Sequence, residues 1–275
     1  MNNTKVIPAK IFAKKETGGK LEILFLEKID ENKFKGFVKG KNPLGKKIYV
    51  DEYVLKCYKE KNEFIFEIEN GKCEDLIREK GNIPLPPYIR RKPQELDKIY
   101  YQTVFAKEEG SIAAPTASLH FTEELLKKIE NKGVKIKYIN LRVGKGTFIP
   151  LKVKDIRAHK MEEEYYEIPD ETIEEIERAK KEKKRIFACG TTCVRALETY
   201  ALENKKSGFT SLFIYPGFKF NLINALITNF HLPKSTNLVL VCAFAGRERI
   251  LKLYEVAIKE NYRFLSYGDA MLLLK

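Results

Sequence analysis

The sequence predicts an α/β protein, with a largely parallel sheet domain joined to a separate small all-β domain. Three observations predict it. Short strand-like runs separated by turn formers fill residues 5 to 80. A proline-rich stretch, NIPLPPYIRRKP (Asn82 to Pro93), then interrupts the chain. Beyond it, strand-like and helix-like segments alternate, the rhythm of a parallel sheet.

In the first part, KLEILFLEKI, KFKGFVKG, KKIYVD and EFIFEIEN mix alternation with β-branched or aromatic residues. Thr17-Gly18-Gly19, Gly40 to Gly45, and Glu69-Asn70-Gly71 supply the turns between them. Strands this short suit a small barrel or sandwich. The prolines that follow lack amide donors and restrict the backbone, which marks a boundary or a rigid surface loop.

In the second part, Thr122 caps a helix over EELLKKIENKG, with acids in its first turn and Gly133 as its stop. VKIKYINLRV reads as a strand. Asp170 opens a helix in which Ile173, Ile176 and Ala179 keep helical spacing. RIFACG, SLFIYP and ALITNF read as strands, TTCVRALETYALEN and ERILKLYEVAIKEN as helices, and YRFLSYGDAMLLL as a final apolar segment.

Hydrophobic residues make up 44% of the 275, enough for a core and against disorder. The net charge of +13 fits a polyanionic partner or simply a lysine-rich exterior. Five scattered cysteines and no secretory signal suggest reduced thiols in a soluble, cytoplasmic protein. The longest apolar run, Leu238 to Gly246, is too short to span a bilayer, so no membrane partner is expected.

Chemistry is expected at the strand ends. At IFACGTTCVRALE, Gly190 permits a tight turn, Thr191 and Thr192 offer hydroxyls beside unpaired helix amides, and Arg195 lies close by. That arrangement suits a carboxylate, phosphate or ribose. An N-cap threonine and a surface arginine explain it as well. Gly144 and Gly146, with Thr147, fit neither a P-loop nor a dinucleotide fingerprint. They permit close backbone approach to a flat ligand, or a plain tight turn. His120 follows Thr116 and Ser118; His231 lies within TNFHLPKST, beside Thr228, Asn229, Lys234, Ser235 and Thr236. Either imidazole can serve as acid or base or can be structural. Cys189 and Cys193 lack the further ligands of a zinc site, so no metal is expected.

Taken in order, NNTKVIPAKI, YQTVFAKEEGSIAAPTASLHFTEELL, VGKGTF, HKMEEEYYEI, GTTCVRALE, YPGFKF, LITNFHLPKSTNLVLVCAFAGRE and YRFLSYGDAMLL resemble the S-adenosylmethionine:tRNA ribosyltransferase-isomerases of queuosine biosynthesis. The resemblance covers nearly the whole chain. It implies an α/β catalytic domain (86–275, with Met1 to Thr4) carrying a separate β-barrel domain (5–85). It implies transfer and isomerisation of the ribosyl group of S-adenosylmethionine onto 7-aminomethyl-7-deazaguanine at the tRNA wobble position, giving epoxyqueuosine, adenine and methionine. S-adenosylmethionine would be a co-substrate, with no true cofactor, and the protein a monomer that meets the tRNA anticodon stem-loop.

On this reading His120 and His231 share the acid and base roles, and Asp269 pairs with the incoming aminomethyl group. Arg142 or Arg195 holds the methionine carboxylate or a phosphate. Thr191, Thr192, Thr228 and Asn229 bind ribose hydroxyls or base edges. Thr116, Gly144, Gly146, Thr147, Lys234, Ser235 and Thr236 complete the substrate-binding set.

The chain departs from the family's pattern in places. Arg142 stands where His is common, Glu162 and Glu163 replace a His-Ser pair, and Cys193 replaces Ser. The family usually begins well before the NNTKV-like strand, so the resemblance implies a chain shortened at its N-terminus. A catalytically impaired tRNA-binding remnant is therefore the alternative to an active enzyme. A methyltransferase is a weaker one, because the glycine-rich fingerprint is missing.

Overall fold

The computed structural model of the chain describes residues 1–60, 63–144, 146 and 151–275. The chain divides into two compact units, Val6–Ile99 and Met1–Lys5 with Tyr100–Lys275. The proline-rich stretch groups with the first.

After β1 (Thr4–Val6), the first unit is built from β2 (Lys10–Lys15), β3 (Lys20–Lys28), β4 (Lys33–Lys39), β5 (Ile48–Val50), β6 (Tyr53–Glu60) and β7 (Glu63–Ile68). These pair antiparallel in the order β3-β4-β7-β6-β5-β2, and β2 returns to β3, so six strands close into a barrel. Alternation explains which side is inside: Ile11, Leu21, Ile23, Phe34, Ile48 and Leu55 are buried, while their strand neighbours are more exposed; β7 departs from this, burying the consecutive Ile65 and Phe66. Phe34 stacks on Phe25 and on Phe66, with ring centroids 4.9 and 5.1 Å away. Gly36 makes room for this: a Cβ there would stand 2.8 Å from the Phe66 ring. Helix α1 (Cys73–Lys80) follows, β8 (Gly81–Asn82) adds to β2, and α2 (Asp97–Tyr100) begins near the unit's end.

The second unit contains β9 (Glu108–Ser111), a 3-10 turn (Thr116–His120), α3 (Glu123–Glu130), β10 (Asn140–Leu141), β11 (Glu164–Glu167), α4 (Asp170–Lys181), β12 (Phe187–Cys189), α5 (Thr191–Glu203), β13 (Ser207–Thr210), β14 (Ala225–Asn229), α6 (Thr236–Ala245), α7 (Arg247–Lys259) and β15 (Ala270–Leu274). Its strand pairing is mixed: β12 runs parallel to β14, β15 pairs antiparallel with β14, and β10-β11-β13 is antiparallel. Helix α5 buries Thr191 and the run from Cys193 to Thr199, and α6 buries Leu240, Val241, Cys242 and Phe244.

Two expected strands differ. Of VKIKYINLRV, only Asn140–Leu141 enters a ladder. SLFIYP is not a strand; the ladder forms one step earlier, at Ser207–Thr210. There Ile214 packs into the core, the Leu212 carbonyl accepts from Arg195, and Pro216 has no amide to donate. The alternating run thus reports burial rather than sheet pairing.

Candidate functional site

The C-terminal end of β14 organises the site. Asn229, nearly fully buried, uses both ends of its amide. Its Oδ1 accepts from the Thr116 hydroxyl at 3.0 Å. Its Nδ2 faces His120 Nε2 at 3.3 Å and the carbonyl oxygens of Leu265 and Asp269 at 3.2 and 3.4 Å. Two carbonyls can be met only by a donor, so the amide orientation is fixed by chemistry. The nitrogen then donates to Nε2 of His120. The amide's two hydrogens face three acceptors, and Nε2 accepts in the tautomer that carries its proton on Nδ1, on an exposed side chain.

His231 belongs to a different cluster. Its Nε2 lies 2.8 Å from the Thr228 hydroxyl, and its amide donates to the Tyr254 hydroxyl at 2.8 Å. Thr228 and Asn229 are consecutive strand residues, so their side chains leave on opposite faces. The structure gathers Thr116, His120, Asn229 and the Asp269 backbone on one face and sets His231 on the other. Burial pushes the His231 imidazole down to about 4, which makes it a weak base and keeps it neutral near pH 7.

The neighbouring strand end carries the other expected group. Gly190, at φ +89°, turns β12 directly into α5, a conformation that disfavours a side chain. Its amide donates to the Ile227 carbonyl of β14 at 2.8 Å. Cys189 Sγ meets Ser118 Oγ at 3.2 Å, which ties the 3-10 turn of His120 to this strand end. Thr191 donates to Asn237 Oδ1 at 3.1 Å, so the starts of α5 and α6 are joined. Ser235 caps α6 by accepting from the Leu238 amide at 3.2 Å, and Thr236 is that helix's first residue. Lys234 is exposed, and its left-handed backbone (φ +58°) turns the chain into that cap.

Other expected groups are engaged elsewhere. Arg195 is buried against the Glu164 carboxylate and donates to the Leu212 and Thr210 carbonyls, both at 3.1 Å. The expectation of a surface arginine is corrected by this burial, and three partners engage the guanidinium. The Thr192 hydroxyl accepts from Asn2 at 3.2 Å. The Asp269 carboxylate accepts from the Arg263 amide at 2.6 Å and its guanidinium at 3.3 Å, and the amide bond first, then the guanidinium, holds its pKa low. Arg142 is exposed, its guanidinium 5.0 Å from the Tyr165 ring centroid. The Gly144 amide donates to Glu164 at 2.8 Å, and Gly146 lies against Glu162. Thr147 lies outside the described residues.

The sequence model of one family, described as Queuosine biosynthesis protein, matches residues 1–273. The chain belongs to this family. A relative from Sulfurihydrogenibium, named S-adenosylmethionine:tRNA ribosyltransferase-isomerase, is 52% identical over 100% of this chain and 83% of its own length. One of the same name from Aquifex aeolicus is 48% identical over 99% of this chain and 83% of its own. The crystal structure of an S-adenosylmethionine tRNA ribosyltransferase from Thermotoga maritima superposes with a TM-score of 0.51, at 35% identity, covering 99% of this chain and 80% of that one.

In this queuosine-family chain, several residues escaped sequence reasoning. Glu164 supports both Arg195 and the Gly144 amide, yet it sits in an acidic run, EEEYYE, that reads as surface. Asn2 is fully buried and brackets Leu141, accepting from its amide and donating to its carbonyl, both at 3.0 Å. Glu198, mid-helix and fully buried, accepts from the amides of Asn221, Leu222 and Ile223. Only its position in an otherwise apolar helix stretch hinted at burial. Tyr254 and Asn237 sit within helices and carried no local signal.

Proposed function

We propose that this chain transfers and isomerises the ribosyl group of S-adenosylmethionine onto the 7-aminomethyl-7-deazaguanine wobble base of tRNA, releasing adenine and methionine. Family membership supports the reaction class. The observation that carries the reading is the Asn229 junction, which holds an exposed imidazole and a threonine hydroxyl at the C-terminal end of a sheet strand, where α/β folds bind ligands.

The chemistry must remove a proton beside the sulfonium, stabilise departing adenine, and hold the opened sugar. His120 takes the donor role: its Nδ1–H points away from Asn229 and meets an adenine nitrogen or a sugar oxygen. His231 acts from across the strand, shaping the turn that follows Thr228. The exposed Arg142 serves a phosphate or the methionine carboxylate. S-adenosylmethionine is consumed as co-substrate, and a tRNA substrate fits a cytoplasmic protein.

Incubation with S-adenosylmethionine and precursor tRNA tests the reading. tRNA-dependent release of adenine is expected. Salt-sensitive tRNA binding without adenine release would replace it with the impaired remnant, and S-adenosylhomocysteine would indicate methyl transfer.

A further inference from the structure

The barrel is electrically polarised. The β2–β3 turn and the β4–β5 loop lie at one end, joined by a hydrogen bond from the Glu16 amide to the Lys47 carbonyl at 3.0 Å. Segments 14–20 and 39–47 carry seven lysines and a single carboxylate, Glu16. Lys15 is buried; Lys14, Lys20, Lys39, Lys41, Lys46 and Lys47 are exposed. Among the described residues, only Lys39 of these six has a carboxylate within ion-pair distance, Glu22 at 3.9 Å.

The opposite end is built differently. There Lys28 pairs with Glu74 at 2.6 Å, Lys72 with Glu31 at 2.9 Å, and Lys80 with Asp51 and Glu52 at 3.1 and 3.0 Å. Strands β6 and β7 meet at the lysine-rich end and add Glu60 and Glu63 there, but among the described residues neither lies within ion-pair distance of the six exposed lysines. A generally lysine-rich exterior therefore does not explain one end compensated and the other largely uncompensated. Lys14 also lies directly across the ladder from Lys20, a like-charge pairing that costs stability on its own. Exposed rings stand among the lysines on the outward face: Tyr49 opposite Lys14, Phe12 two residues before it, and Phe37 two before Lys39. Lysines that track a phosphate backbone, with rings beside them, are the pattern of nucleic-acid grooves.

We infer that this end of the barrel is a docking surface for the phosphate backbone of the tRNA substrate. It rests on the tRNA reading above and adds a contact separate from the Asn229 junction. Docking neutralises the lysines, releases counterions and relieves the Lys14–Lys20 repulsion.

The test uses the whole chain and a tRNA transcript with guanine at the wobble position, titrated by fluorescence anisotropy at several salt concentrations. Neutralising four exposed lysines (K14Q, K20Q, K41Q, K47Q) is expected to weaken binding roughly tenfold or more and to flatten the log–log salt slope by about 3 to 4, at about 0.7 to 0.9 per lost phosphate contact. In adenine release, KM for precursor tRNA rises while kcat holds. The matching Lys→Arg variant keeps the wild-type slope, which separates charge from folding. An unchanged slope in the glutamine variant, a loss that arginine fails to restore, or wild-type binding indifferent to salt overturns the docking surface. If adenine is released with the slope unchanged, the catalytic reading survives and this one fails. If the slope falls as expected but no adenine appears, the docking surface stands and the catalytic reading fails.

Discussion

Asn229 holds the ring of His120 from the end of β14: Nδ2 lies 3.3 Å from Nε2, and the same nitrogen serves the carbonyls of Leu265 and Asp269. One buried amide thus joins the strand, the 3-10 turn and the loop ahead of β15. Asn229→Ala leaves those carbonyls without their donor. It is expected to lower stability by about 1–3 kcal/mol and to slow tRNA-dependent adenine release roughly a hundredfold, the scale of one positioned donor. His120→Ala, at an exposed ring, is expected to slow release similarly while leaving the melting temperature within a degree or two. Thermal melts beside single-turnover assays check both; a large melting loss in His120→Ala would make that ring structural.

His231 makes stability depend on pH with a defined sign. Its folded pKa, about 4, lies below its ordinary 6.5 because burial disfavours the charged ring. The contribution is fully present above pH 6.5, is lost as pH falls towards 4 while only the unfolded state takes up the proton, and levels off below. The loss is at most about 3 kcal/mol, since a tenfold difference in proton affinity between folded and unfolded chain is worth about 1.4 kcal/mol. Urea unfolding at pH 7 and pH 4.5 should show this difference in the wild type and a smaller one in His231→Gln.

The Glu164–Arg195 ion pair is buried on both sides. Glu164→Gln or Arg195→Met leaves one charge without its partner and is expected to cost about 3–5 kcal/mol. Denaturant midpoints measure it. Replacing both together should cost less than the sum of the two, which a double-mutant cycle detects. A wild-type midpoint in either single variant would show that the pair contributes nothing.

All five cysteines are free and buried. Burial raises the thiols of Cys57 and Cys189 to about 12 and that of Cys73 to about 11. Native protein at pH 8 should react with a thiol reagent only over the time of local unfolding, and all five should react at once in guanidinium. A fast-reacting thiol in the native state would contradict this burial.

Local chemistry made much of the architecture legible. Thr122 and Gly133 bracket α3 as their types require, with the Thr122 side chain accepting from the Leu125 amide at 3.2 Å and Gly133 at φ +81°. Alternating apolar residues announced the barrel strands. Gly190 announced the turn between β12 and α5. What the sequence by itself determined was periodicity and turn chemistry, because these act within a few residues.

Tertiary structure alone decided what needs distant partners. Nothing local shows that Glu164 is buried beneath Arg195, that Asn2 brackets Leu141, or that SLFIYP packs without pairing. The two histidines looked equivalent in sequence, each at a loop junction beside hydroxyls. The strand separates them because Thr228 and Asn229 face opposite ways, and only chain segments more than a hundred residues apart bring His120 to its amide. Long-range packing selects among side chains that local chemistry leaves equal.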